Sequence, residues 1–156
     1  MWDGRLSITG DILPASTPTV RGATPEDHDR IEALAAKLGN DSNPDEAIFS
    51  RSFSEVLADA PRTIVHVAEV DGVVVGYALT TINTLLYTHG ASAQLQEIVV
   101  DDSVQTSGVG TALVSAVESA CEEHGVTQLT VASRRAGGFY DRLGYTQQAE
   151  YMRRLF

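Results

Sequence analysis

The chain has 156 residues, enough for one ordinary domain with a single sizeable core. With 43% hydrophobic and 21% charged residues it is globular rather than disordered. Its formal charge of −10 and pI near 4.6 argue against nucleic acid or an anionic membrane as partner and are compatible with attracting a cationic amine. A single cysteine excludes an internal disulfide, no charged-then-apolar signal opens the chain, and no apolar run approaches the ~18 residues of a membrane span, so a soluble cytoplasmic protein is expected.

In chain order, residues 1–19 carry Trp2, an alternation at Leu6, Ile8 and Ile12, and Pro14 and Pro18; they read either as a disordered leader or as an added edge strand. Residues 20–156 form a single domain. Val20 to Ala23 predicts a short strand. Thr24-Pro25-Glu26-Asp27 then starts a helix, with Thr24 as N-cap and Pro25 in its first turn, and Ile31, Leu34, Ala35 and Leu38 give the apolar face up to Gly39. A second helix is predicted from Asp45 to Asp59. Thr63 to Val70 and Val73 to Leu86 are β-branched strands joined by Asp71-Gly72, a hairpin signal. Leu95 to Val100 pairs next, and a helix follows from Gly108 to His124. Cys121 falls on its apolar face with Leu113 and Val117, as a core residue rather than a nucleophile. Leu129 to Ser133 is another strand, Ala136 to Leu143 a short helix, and Tyr145 to Leu155 one or two closing strands. His28, His66, His89 and His124 lack metal-ligand spacing, so no metal is implied.

The stretch Leu95 to Gly110, LQEIVVDDSVQTSGVG, organises the rest: an apolar strand, a polar turn, then glycines opening a helix. The first N–H groups of a helix have no intrahelical partner and carry the positive end of its dipole, so a phosphate placed there gains donors and a favourable field. Gly108 and Gly110 let a diphosphate approach the backbone, and Gln105 and Thr111 offer side-chain donors. No Lys follows Gly110 as a Walker A loop requires, and Leu113 stands where a dinucleotide fingerprint has its third glycine.

What remains, Q-x-x-G-x-G between an apolar strand and an amphipathic helix, resembles the acyl-CoA pyrophosphate loop of the GNAT superfamily of N-acetyltransferases. AGGFYDRLGY, Ala136 to Tyr145, resembles that family's second signature, and with TVRGATPEDHDRIEAL the resemblance covers about Val20 to Phe156. It implies an α/β fold, with a central mixed, mostly antiparallel sheet of six to seven strands and helices on both faces. It also implies acetyl-CoA as co-substrate, a small-molecule or peptide amine as acceptor, direct attack in a ternary complex, and a homodimer as an option. A second implied option is a GNAT-like domain that senses acyl-CoA without turnover.

Carried over residue by residue, the resemblance assigns cofactor binding to Gln105, Thr106, Ser107, Gly108, Val109, Gly110 and Thr111. The pantetheine arm would lie as an added strand against Ile98, Val99 and Val100. Tyr140 takes the place of the general acid: an unperturbed thiol has a pKa of roughly 8.5 and a phenol roughly 10, so a Tyr in reach can give a proton to the leaving thiolate. Glu97 is the acidic residue within the central strand and the candidate base; Glu69, His89 and a main-chain-held water are the alternatives. Histone-type relatives place the base at what is Gln94 here. Strict alternation would put residues 94, 96, 98 and 100 on one face and Glu97 on the other, unless a bulge changes the parity. Two departures stand out. Gln105-Thr106-Ser107-Gly108 lacks the usual positive charge, for which Arg134, Arg135 and Arg142 are candidates, and Ser133 occupies a cofactor-positioning place where many relatives have Asn.

Overall fold

The β-branched runs of the sequence become the strands of one sheet in the computed structural model, which describes residues 16–39, 45–104, 108–133 and 138–156. In order these residues form β1 (Thr19–Gly22), a 3₁₀ turn (Pro25–Asp27), α1 (His28–Ala35), α2 (Glu46–Ala58), β2 (Thr63–Val70), β3 (Val73–Thr84), β4 (Ala91–Val100), a second 3₁₀ turn (Asp102–Val104), α3 (Val109–Glu123), β5 (Val126–Val131) and α4 (Phe139–Arg142). The five strands lie in the order β1-β2-β3-β4-β5; the first three pairings are antiparallel and β4 with β5 is parallel. The sheet is therefore mixed and mostly antiparallel, as expected, but it has five strands rather than six or seven. Residues 145–156, expected to add one or two strands, form none. Residues 1–15, and with them most of the expected leader, fall outside the described residues.

Local chemistry explains the ends of these elements. Asp71 and Gly72 sit at φ 52° and 77°, the backbone a tight β2–β3 hairpin needs. The Thr24 backbone N–H donates to Asp27 Oδ2 at 2.8 Å, and Arg21 donates to both oxygens of the same carboxylate at 2.8 and 2.9 Å. Those donors hold the buried Asp27 carboxyl below the usual range. Asp45 caps α2 by accepting from the N–H groups of Ala47 and Ile48.

Two apolar layers sandwich the sheet. On one face α3 buries Val109, Leu113, Val114, Val117 and Cys121 against Ala68, Ala78, Ala93 and Leu95. On the other, Ile31 and Leu34 of α1 and Phe53 of α2 pack on Val65, Val67, Tyr77 and Val99. Each large side chain so buried contributes on the order of 2 kcal/mol. Helix α3 can come this close because Gly76 has no side chain: a Cβ there would stand 2.9 Å from the Val99 carbonyl oxygen and 3.2 Å from Leu113. Among the described residues no helix is long and apolar enough to cross a membrane.

The exit of β4 is fastened. Asp101 accepts from the Ser103 N–H at 3.1 Å and hydroxyl at 2.9 Å, and from Arg30 at 2.8 Å, while Arg30 also donates to the Val74 carbonyl at 2.6 Å. Those bonds, Ser103's first, hold the Asp101 carboxyl at about 2. An unfolded Asp titrates near ~3.9, so its contribution is complete above that pH and is lost as pH falls through about 2. Thermal melts of wild type and Asp101→Asn should differ most above pH 4 and converge towards pH 2; a gap independent of pH would contradict the fastening.

Candidate active site

Pairing of β4 with β5 runs from Ala91↔Val126 to Leu95↔Val131 and stops there, whereas β3 stays paired with β4 through Val100. The second half of β4, residues 96–100, thus has a strand on one side only among the described residues. Its outward N–H and C=O groups, including those of the Ile98–Val100 stretch, form a short open edge able to hydrogen-bond an extended ligand.

The register explains how this edge is aimed. Leu79 faces Glu97 but Thr80 faces Leu95, so Gln96 is an extra residue, a β-bulge. Strict alternation fails here. Ala93 and Leu95 face α3, and past the bulge Ile98 and Val100 face it too, while Val99 packs in the α1/α2 layer. Gln94 and Glu97 therefore share the α1/α2 face instead of lying on opposite faces.

Beside the open edge stands the start of α3. Among the described residues its N-cap, Gly108, has φ +81° with nothing within 4 Å of a Cβ, and no side chain caps the helix. The left-handed conformation is one that glycine adopts freely and a β-branched residue does not. Val109 is fully buried and leaves only its backbone for a ligand; Thr111 is exposed. Gly110 lies where β4, α3 and α4 meet: a Cβ there would be in ordinary contact with the Phe139 ring at 3.5 Å and with Val100 Cγ2 at 3.9 Å. Gln105, Thr106 and Ser107, as well as Arg134 and Arg135, lie outside the described residues.

Tyr140 follows Phe139 in α4. Tyr140 is half-buried between the rings of Phe139 and Tyr145, at centroid distances of 5.0 and 5.5 Å, and burial pushes its phenol up. It is thus protonated at neutral pH and available as a donor. Ser133 is exposed, two residues beyond β5.

Glu97 is partly buried and accepts a 2.7 Å hydrogen bond from the Tyr77 hydroxyl. Tyr77 is only 1% exposed, and burial, then the charge of Glu97, pushes its phenol far up, which keeps it a fixed donor. Sequence reading missed this residue. Its signal was a tyrosine inside an apolar strand, next to the strand that carries Glu97. Of the alternative bases, Glu69 is bonded to Arg21 at 2.6 Å, and His89 lies before the start of β4, at the end away from the open edge. Tyr77→Phe keeps the ring and removes the donor. If Glu97 works as proposed below, turnover should drop about tenfold and the melting temperature by several degrees, as for loss of one charge-assisted hydrogen bond.

Two further groups are engaged elsewhere. Cys121 is 6% exposed and burial pushes its thiol up, which fits a core residue. His28, Asp29 and Glu32 have ligand-type atoms within 4.8 Å of one another, yet both His28 ring nitrogens are already bonded, to Asp29 and to Ser50 at 2.8 Å.

The open edge of β4 and the start of α3 thus come together at Val100, Gly110 and Phe139, with Tyr140 the next residue of α4. The family model described as an acetyltransferase (GNAT) domain matches residues 29–154. The chain belongs to the GNAT acetyltransferases. Among solved structures it is similar to glucosamine-6-phosphate N-acetyltransferase from Arabidopsis thaliana (19% identity, TM-score 0.79, covering 90% of this chain and 99% of that one). A transcriptional regulator from Bacillus halodurans C-125 is comparably close (20%, 0.80, 90% and 100%), as is an aminoglycoside N-acetyltransferase in complex with CoA (17%, 0.72, 92% and 98%). A search of the curated proteins found no match.

Proposed function

We propose that the protein transfers an acetyl group from acetyl-CoA to a primary amine by direct attack in a ternary complex. The observation that carries this reading is the half of β4 left open among the described residues, 96–100, meeting the start of α3 through Val100, Gly110 and Phe139. The pantetheine arm would lie along Ile98, Val99 and Val100, with a backbone N–H of Val99 or Val100 polarising the thioester carbonyl. The diphosphate would sit on the helix N–H groups of Val109, Gly110 and Thr111, joined by Gln105, Thr106, Ser107 and Gly108, with Ser133 placing the cofactor from the other side.

The chemistry then divides between two side chains. Glu97 takes the proton of the acceptor ammonium, whose pKa of about 10.4 keeps it charged at neutral pH. The freed amine attacks the acyl carbon, the C–S bond breaks, and Tyr140 donates to the departing thiolate. A phenol raised above ~10 makes full transfer to a thiol of ~8.5 uphill, so Tyr140 acts first by a hydrogen bond that stabilises the growing charge. Burial of Cys121 leaves no candidate for an acetyl-cysteine intermediate among the described residues. The acceptor is a small-molecule or peptide amine, and the cytoplasm is kept as the proposed location.

A second reading, an acyl-CoA sensor without turnover, draws support from the Bacillus halodurans regulator of similar fold. The test mixes purified protein with acetyl-CoA and a panel of amines: lysine peptides, peptide N-termini, polyamines, aminoglycosides and amino sugars. Thiol release with at least one acceptor is expected. Cofactor binding with no release for any would favour the sensor.

A further inference from the structure

A single helical turn does not hold itself, because nucleating it costs more than its few bonds return. Helix α4 (Phe139–Arg142), which carries Tyr140, is that short, so its geometry comes from what fastens its ends. The sequence Leu143-Gly144-Tyr145 supplies a stop: Gly144 stands at φ +90°, in the left-handed region that glycine adopts freely. The Gly144 N–H donates to the Asp141 carbonyl at 3.1 Å and the Tyr145 N–H to the Tyr140 carbonyl at 3.0 Å. Those two bonds make a Schellman cap, which sets the residue after the glycine against the start of the turn. Here it sets Tyr145 against Tyr140, the two rings meeting edge to face at 5.5 Å.

Tyr145 is held at its other end as well. Its hydroxyl donates to Glu118 Oε1 at 2.8 Å. Burial, then that bond, pushes the Tyr145 phenol up, so it stays a donor across the neutral range. Glu118 lies on α3 beside Val114 and Cys121, one turn to either side and both buried, so its backbone is fixed by the core. The helix proposed to offer its first amides to the coenzyme thus also grips, roughly three turns on, the ring that packs on Tyr140. Phenylalanine at 145 would pack as well; the hydroxyl is what ties that ring to α3.

We infer that Glu118 and Tyr145 are positioning residues for the general acid, which rests on the role proposed for Tyr140 above. The carboxylate holds the Tyr145 ring, and the ring holds the Tyr140 phenol at a set place relative to the α3 amides. A phenol displaced from the sulfur by an ångström stabilises the departing thiolate poorly, so the pair acts on the rate and not on coenzyme binding.

Two measurements test this. In the coenzyme-free protein, carbon NMR of ring-labelled tyrosine follows the Tyr140 phenol, which burial raises above its ordinary ~10. Tyr145→Phe, which keeps the ring but frees it from Glu118, should bring that titration down. Glu118→Gln, whose amide oxygen still accepts, should leave it in place. In thiol release, Tyr145→Phe and Glu118→Ala should each lower kcat about tenfold with little change in the KM for acetyl-CoA, and their combination should be no worse than either. Glu118→Gln should stay near wild type, and in a Tyr140→Phe background Tyr145→Phe should cost nothing further. A Tyr140 titration or a kcat that Tyr145→Phe leaves unmoved overturns the inference, as does a rate loss of the same size with and without the Tyr140 hydroxyl. If instead the titration falls in Tyr145→Phe while Tyr140→Phe alone keeps full activity, it is the general-acid role of Tyr140 that has failed, and the positioning role falls with it.

Discussion

Tyr140→Phe is expected to lower the maximal rate of acetyl transfer about 10²- to 10³-fold, the range for a positioned proton donor, with acetyl-CoA affinity changed little. The separation follows from geometry. The ring of Tyr140 packs between Phe139 and Tyr145, and phenylalanine keeps that packing and the meeting of α4 with α3. Only the hydroxyl is lost, and it acts when the C–S bond breaks rather than when the cofactor binds. Stopped-flow thiol release with separately measured binding checks this. An unchanged rate would take Tyr140 out of the chemistry.

Glu97→Gln should cost about a hundredfold in kcat at pH 7, and raising the pH towards the pKa of the acceptor amine should recover much of it, because the amine then arrives already deprotonated. The pH dependence distinguishes loss of a base from loss of a structural bond, since an amide side chain can still accept from the Tyr77 hydroxyl. A deficit equal at pH 7 and pH 10 would assign Glu97 a structural role and return the base to a main-chain-held water.

Much of this was legible in residue types. The hairpin at Asp71-Gly72, Thr24 as N-cap, the amphipathic face of α3 and the burial of Cys121 all follow from local chemistry and period, and they recur in the structure. The faces of β4 were not, because a single extra residue, Gln96, reverses the parity, and a bulge depends on a partner strand rather than on the strand's own sequence. Tyr77 was hidden for the same reason: its hydroxyl reaches Glu97 only across a β3–β4 register that composition does not encode. The tail carries strand-like residues with no partner strand among the described residues, so counting β-rich segments overstated the sheet. Gly110, read as room for a ligand, also lies against Phe139, a contact between segments far apart in sequence.

Titration calorimetry of acetyl-CoA into the wild type and Gly108→Val tests the centre of the account, a coenzyme held at the start of α3. Gly108 stands at φ +81° with nothing within 4 Å of a Cβ among the described residues, so valine strains the backbone that presents the helix amides without meeting a packed neighbour among them. Saturable one-site binding to the wild type, weakened at least about tenfold in the variant, is the expected result. No heat of binding in the wild type, or equal affinity in both, would contradict it.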